Sequence, residues 1–146
     1  MSRVEIDPAN IGAPGKAGKI STSIMIDPEG FVAECTGENL FLVRNGKIYT
    51  PSRATVLESI TRDAIFILAQ DLGIAVIEEQ ITRDQLYIAD EVFLCGTAAE
   101  VVPVIEIDFR KVGEGKVGQV TKKIQKLFTE TIQGEGKRSG EWLSFV

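Results

Sequence analysis

The chain has 146 residues, 44% hydrophobic and 25% charged, an ordinary globular mix long enough for one domain with its own core. Its net charge of −5 argues against a nucleic-acid-binding surface. It contains no histidine, which removes Ser-His and Cys-His nucleophile pairs and the commonest transition-metal ligand, so a base or nucleophile here must be Lys, Tyr, Cys or a carboxylate.

Two cysteines, Cys35 and Cys95, form no CxxC pair and no metal-ligand spacing. Each lies in or beside an apolar stretch, and both are expected as buried free thiols rather than a disulfide. No run of 18 apolar residues exists, so no membrane span is expected. The N-terminus carries no hydrophobic signal core, and a cytoplasmic location is the expectation.

In chain order, residues 1–19 are polar, rich in small residues and broken by Asp7-Pro8 and Pro14-Gly15, and they read as an extended arm. Ile24-Met25-Ile26 is a short apolar run closed by the turn Asp27-Pro28-Glu29-Gly30, and Phe31-Val32-Ala33 starts a second strand. Residues 40–44 are apolar, Asn45-Gly46 is the pair favoured by a two-residue I′ turn, and residues 47–50 return, which predicts a β-hairpin within an antiparallel sheet. Residues 53–59 read as a connecting loop. A helix is expected over 61–72, with Ile60, Ala64, Ile67, Leu68 and Leu72 as its apolar stripe, Ser59 as N-cap and Gly73 at the C-terminal cap. A strand at 74–77, a short helix at 82–87 capped by Thr82 and a strand at 91–95 ending at Gly96 follow. In the strand at 101–105, Pro103 implies an edge or a bulge. Residues 109–112 continue the sheet after a turn at Asp108, and 113–118 form a loop. A helix is predicted over 119–131, with Val120, Ile124, Leu127, Phe128 and Ile132 on one face. Residues 134–140 read as a flexible tail that Trp142, Leu143 and Phe145 could dock.

The stretch Glu34-Cys35-Thr36-Gly37-Glu38-Asn39 stands out ahead of the hairpin. Carboxylates beside buried β-structure must be hydrogen-bonded, charge-paired or facing a cleft. A loop with a strand cap would use the same residues. The longer segment from Gly30 to Phe41 resembles the signature of the class IV pyridoxal-phosphate aminotransferases, most closely those of branched-chain amino acids. Ile60-Thr61-Arg62-Asp63, Ala89-Asp90-Glu91-Val92-Phe93, Gly96-Thr97-Ala98-Ala99-Glu100, Gly113-Glu114-Gly115-Lys116-Val117-Gly118 and Glu141-Trp142-Leu143 fall in the family's order. The resemblance runs from about Asp27 to the end.

The resemblance implies an α+β fold of the D-amino acid aminotransferase type. This chain corresponds to the large C-terminal domain, a mostly antiparallel β pseudo-barrel with flanking helices. Residues 1–23 would be an N-terminal arm and 24–146 the domain. The implied reaction moves an amino group from leucine, isoleucine or valine to 2-oxoglutarate, in a homodimer whose site lies near the subunit interface. A D-amino-acid aminotransferase or an aminodeoxychorismate lyase is the alternative on the same fold. A non-catalytic interaction protein that keeps the fold is the alternative of a different class.

Pyridoxal phosphate needs a lysine for its aldehyde, a carboxylate at its pyridine nitrogen, backbone donors for its phosphate and an apolar side chain against its ring. By resemblance, Lys16 in Pro14-Gly15-Lys16-Ala17-Gly18 is the Schiff-base lysine, with Lys19 as the fallback. Glu34 meets the pyridine nitrogen, Leu57 packs on the ring, Ile60, Thr61 and Thr97 bind phosphate, and the amide of Ala98 meets the substrate carboxylate. The residues themselves are compatible: Ser59-Ile60-Thr61 begins a helix, whose free N–H groups and dipole attract an anion. Gly96-Thr97-Ala98 follows a strand, where glycine permits close backbone approach and Thr97 offers a hydroxyl. An ordinary helix cap and an ordinary strand-ending turn have the same local sequence. The chain departs from the family after Lys16. Residues 19–23 stand where the family has a tyrosine- and asparagine-bearing helix, and the family's small domain, with its phosphate-binding arginine, has no counterpart. A truncated enzyme of reduced activity is therefore the expectation.

Overall fold

The computed structural model describes residues 2–6 and 20–143, with side chains from residue 22 onward. Its strands are β1 (Ser2–Ile6), β2 (Ile20–Ile26), β3 (Val32–Cys35), β4 (Asn39–Arg44), β5 (Lys47–Thr50), β6 (Val76–Glu78), β7 (Glu91–Gly96), β8 (Glu100–Ile107) and β9 (Arg110–Lys111). Its helices are α1 (Ile60–Asp71), α2 (Arg83–Tyr87), α3 (Gln119–Ile132) and α4 (Ser139–Trp142).

The strands form one sheet in the order β3-β2-β1-β8-β7-β4-β5-β6, with β9 paired to β8. Every pairing is antiparallel except β5 with β6. The sheet curls, because β3 at one end of this order meets the start of β4 through a bridge between Cys35 and Glu38. Inside the curl lies a core of Ile24, Val32, Leu40, Leu42, Leu94, Val102, Val104 and Ile107. On the outer face Phe41, Val43, Phe93, Cys95 and Val101 pack against α1 and α3. Alternate side chains of a strand point to opposite faces, so β4 and β7 each serve both cores. That is why Leu40, Phe41, Leu42 and Val43 are buried without a polar interruption. Phe41 and Phe93 are register partners across β4 and β7, and their rings stack at 5.0 Å.

Local signals in the sequence place several elements. Asn45 and Gly46 adopt φ of 50° and 72°, the I′ conformation of a tight hairpin. Ser59 caps α1, its Oγ accepting from the amide of Arg62. At the other end of α1, Gly73 has φ 69° and donates to Gln70, while Ile74 donates to Ala69, so two end carbonyls are satisfied in a Schellman motif. Thr82 and Gln85 form a capping box at the start of α2.

Four expectations need correction. Part of the arm, Ser2–Ile6, is a strand between β2 and β8. The apolar stripe of α1 is turned: Thr61, Ala64, Ile65, Leu68 and Ala69 face inward, while Ile60 is 91% exposed and Ile67 and Leu72 are half-buried. Ile60 starts the helix at the mouth of a cavity, beyond the sheet surface that the rest of α1 covers. Pro103 lies in a central strand, paired with Phe93 on the β7 side, so the edge alternative falls, whereas the register shift between Glu5 and Ile6, opposite Glu106 and Val104, agrees with the bulge alternative. The described pairs with β1 reach only Val104 and carry an irregularity there, so the missing N–H interrupts no described ladder bond on that side. The tail is ordered: Glu135 and Gly136 donate to Glu130, Arg138 binds Asp71 through two bonds of 2.7 and 2.8 Å, and the buried Ser139 donates to Thr131. Trp142 packs onto the outer core, while Phe145 lies outside the described residues.

Candidate functional site

Four segments meet at one end of the curled sheet around a cavity of about 380 Å³. β3 contributes Glu34, and the turn into β4 with the strand's first residue contributes Gly37, Glu38 and Asn39. The loop before α1 contributes Leu57, Glu58 and Ser59, with Ile60 opening the helix. The end of β7 contributes Gly96 and Thr97.

The loop is held from two sides. Glu34 Oε2 accepts from the amide of Leu57 at 3.0 Å, and the buried Asn39 donates through Nδ2 to the carbonyl of Leu57 at 3.3 Å. The backbone of Leu57 is thereby fixed while its side chain stays 72% exposed at the cavity. A leucine just before a helix reads equally well as core; this one is not. Asn39 is anchored by the hairpin behind it, where Thr50 Oγ1 donates to the carbonyl of Leu40 at 2.7 Å. Gly96 is required by close approach, since a Cβ there would stand 2.9 Å from the carbonyl oxygen of Gly37.

At the start of α1 the amides of Arg62 and Asp63 are taken by Ser59, through its side chain and its carbonyl. The earlier amides of Ile60 and Thr61 have no intrahelical acceptor by position. Thr97 and Ala98 are in the three-residue turn between β7 and β8, and Glu100, which closes that turn, has φ 59°. A glutamate in the left-handed region marks strain next to the cavity.

Glu34, Leu57, Ile60 and Thr97 thus line one cavity. Thr61 and Ala98 adjoin it, each one residue beyond a lining residue. Lys16 and Lys19 lie outside the described residues. Sequence reasoning assigned no role to Glu38 or Arg62. Glu38 belongs to the stretch already noted for its carboxylates, and its Oε2 is buried without a hydrogen-bond partner. Burial holds this carboxyl above the usual carboxylate range, an effect opposed by a hydrogen bond with the Thr22 side chain. Arg62 is 2% exposed, and only its place on the inner face of α1 signals it.

The two cysteines are free and buried, one in each core. Burial pushes both thiols up to about 12, reinforced at Cys35 by the charges of Glu38 and Glu34 and opposed at Cys95 by Arg62. Neither is a nucleophile at neutral pH. Among the described residues no cluster could hold a metal ion, and no helix is long and apolar enough to cross a membrane.

The family model described as Amino-transferase class IV matches residues 16–107. The branched-chain-amino-acid aminotransferase of Pseudomonas aeruginosa is 46% identical over 130 residues, which cover 89% of this chain and 42% of the relative. That of Escherichia coli K12 is 44% identical over 137 residues, covering 93% of this chain and 44% of the relative. The solved structure of the branched-chain amino acid aminotransferase from Thermobaculum terrenum, in its PLP-bound holo form, superposes with a TM-score of 0.81 at 42% identity. The match covers 84% of this chain and 41% of that one. The chain spans about two fifths of the length of the curated relatives it matches.

Proposed function

The chain belongs to the class IV aminotransferase family, and from that membership we propose that its cavity binds pyridoxal 5′-phosphate and serves transfer of an amino group between branched-chain amino acids and 2-oxoglutarate. The observation that carries the reading is the convergence of Glu34, Leu57, the first turn of α1 and the Gly96-Thr97 turn on one cavity. Each offers what one part of the cofactor requires. A cavity of about 380 Å³ also suits a ligand of this size.

When bound, pyridoxal phosphate supplies an electron sink for the bond broken at the amino acid Cα. The chain's residues do the rest. Glu34, oriented by the amide of Leu57, keeps the pyridine nitrogen protonated. Leu57 presents its exposed side chain to the ring. The amides of Ile60 and Thr61 with Thr97 take the phosphate, and the amide of Ala98 takes the substrate carboxylate. Lys16 would hold the aldehyde and, once the incoming amino group has displaced and freed its amine, would move the proton at Cα. The proposal includes residues 1–23 as the segment bearing Lys16, whose described strands join the sheet of the domain at 24–146, and a cytoplasmic homodimer; family resemblance supports these parts.

The test is a titration of the purified chain with pyridoxal phosphate. A visible absorption band that borohydride abolishes, leaving the reduced cofactor attached to Lys16 as located by peptide mapping, is the expected result. Label scattered over surface lysines, or none, overturns the site and favours a non-catalytic protein.

A further inference from the structure

Glu34 and Asn39 lie on either side of a tight turn. Cys35 and Glu38 close that turn with a bridge, and Gly37 supplies its positive φ of 87°. Glu34 and Asn39 are one step back from the bridge, opposite each other, and opposite residues of a hairpin project to the same face. Both side chains reach the same residue. The Glu34 carboxylate accepts from the N–H of Leu57 at 3.0 Å, and Asn39 Nδ2 donates to the carbonyl of Leu57 at 3.3 Å. In an antiparallel ladder a partner residue offers the same two bonds, one in each direction. Here two side chains stand in for the neighbouring strand.

Leu57 depends on that pair. Val56 before it and Ser59 after it have extended backbone, with ψ of 155° and 127°, yet this loop belongs to no strand among the described residues. The Leu57 side chain is exposed and belongs to neither core, so packing does not hold it. Glu34 already has a task at the pyridine nitrogen in the reading above. Asn39 has none, although it is buried, lines the cavity and begins β4 in register with Cys95, the residue before Gly96-Thr97. A buried amide whose own backbone sits in a ladder moves little, and it gives the Leu57 carbonyl a fixed point.

We propose that Asn39 is a positioning residue for the ring half of the site: it sets where Leu57 stands against the cofactor ring and leaves the phosphate half untouched. This rests on the pyridoxal-phosphate reading above and deepens it. Its first signature is a split between the two halves of the ligand. Its second is a dependence on Leu57, because Asn39 acts only through that residue.

The experiment measures binding of pyridoxal phosphate, of pyridoxal, which lacks the phosphate, and of inorganic phosphate to wild type, Asn39→Leu, Leu57→Ala and the double variant. Asn39→Leu keeps the size of the side chain and removes the donor. It should weaken pyridoxal phosphate and pyridoxal alike by about fivefold, what one hydrogen bond of ordinary net strength is worth, and leave inorganic phosphate nearly unchanged. In the Leu57→Ala background the same substitution should cost less than about twofold. Asn39→Ser, too short to reach the carbonyl, is the second variant should Asn39→Leu fail to fold, and it is read in the same way. A loss shared by inorganic phosphate, an unchanged affinity for pyridoxal, or an undiminished effect in the Leu57→Ala background overturns the role of Asn39 while the cofactor reading stands. If wild type binds neither pyridoxal phosphate nor pyridoxal, the cofactor reading itself fails and the role falls with it.

Discussion

Glu34 and Glu38 are four positions apart beside the same turn and meet different fates. Glu34 spends one oxygen on the amide of Leu57, whereas Glu38 leaves Oε2 buried and unpartnered. Burial holds the Glu38 carboxyl above the usual carboxylate range. A carboxyl whose folded pKa is raised binds its proton more tightly in the native state. Its unfavourable contribution is absent below the unfolded pKa and develops as pH rises through the folded one. Glu38→Gln removes that charge and keeps an acceptor for Thr22. The variant should be more stable than wild type at pH 7, by well under about 1 kcal/mol because the group is only partly buried. The gain should vanish as pH falls toward about 4. Denaturant melts at the two pH values check this; a gain that persists at the lower pH points to packing instead of charge.

Among elements, the two I′ hairpin turns contrast. Asn45-Gly46 is the pair this turn prefers, while Asp108-Phe109 adopts the same left-handed conformation, with φ of 49° and 63°. The second turn is anchored through Asp108, whose Oδ2 accepts from Arg83 at 2.7 Å and from the Tyr87 hydroxyl at 2.6 Å. Phe109 itself is 77% exposed. Phe109→Gly should remove backbone strain of about 1 kcal/mol, raising the melting temperature by roughly 3 °C for a domain of this size. A lower melting temperature would mean that contacts of the Phe109 ring outweigh the strain. The loop from Gly113 to Gly118 owes its last glycine to the helix that follows. Glu91 caps α3 by accepting from the amides of Val120 and Thr121, and a Cβ at Gly118 would overlap the Glu91 carboxyl.

For the whole molecule, the decisive feature is that β4 and β7 belong to both cores. Neither core can loosen without exposing the reverse face of the strands that build the other. The cavity sits where these strands end, so its geometry is tied to global stability. Phe93→Ala, at a fully buried ring stacked on Phe41, should cost about 3–5 kcal/mol. Unfolding should remain a single transition by both near- and far-UV circular dichroism. Two separated transitions would show that the inner and outer cores unfold independently.

What depends on a few neighbouring residues was legible before any fold was known. The Asn45-Gly46 turn, the Ser59 cap, the Gly73 stop and the Thr82 box are interactions across one to five positions, so their residues specify them directly. The order of motifs from Glu34 to Thr97 was likewise legible and pointed to the family. Distant partners decided the remainder. Periodicity set the spacing of α1, but the sheet beneath it set which face turned inward, exposing Ile60 and burying Arg62. Pro103 reads as either an edge or a bulge residue, and only the sheet order and the shifted register with β1 beside it decide against the edge. The glycine-rich tail reads as loose until Arg138 reaches Asp71, 67 positions back in the chain. The cavity is of this second kind, since Glu34 meets the amide of Leu57 across 23 positions. Chain curvature brought those groups together, and a linear pattern carries side-chain chemistry but not the direction in which a curled sheet points it.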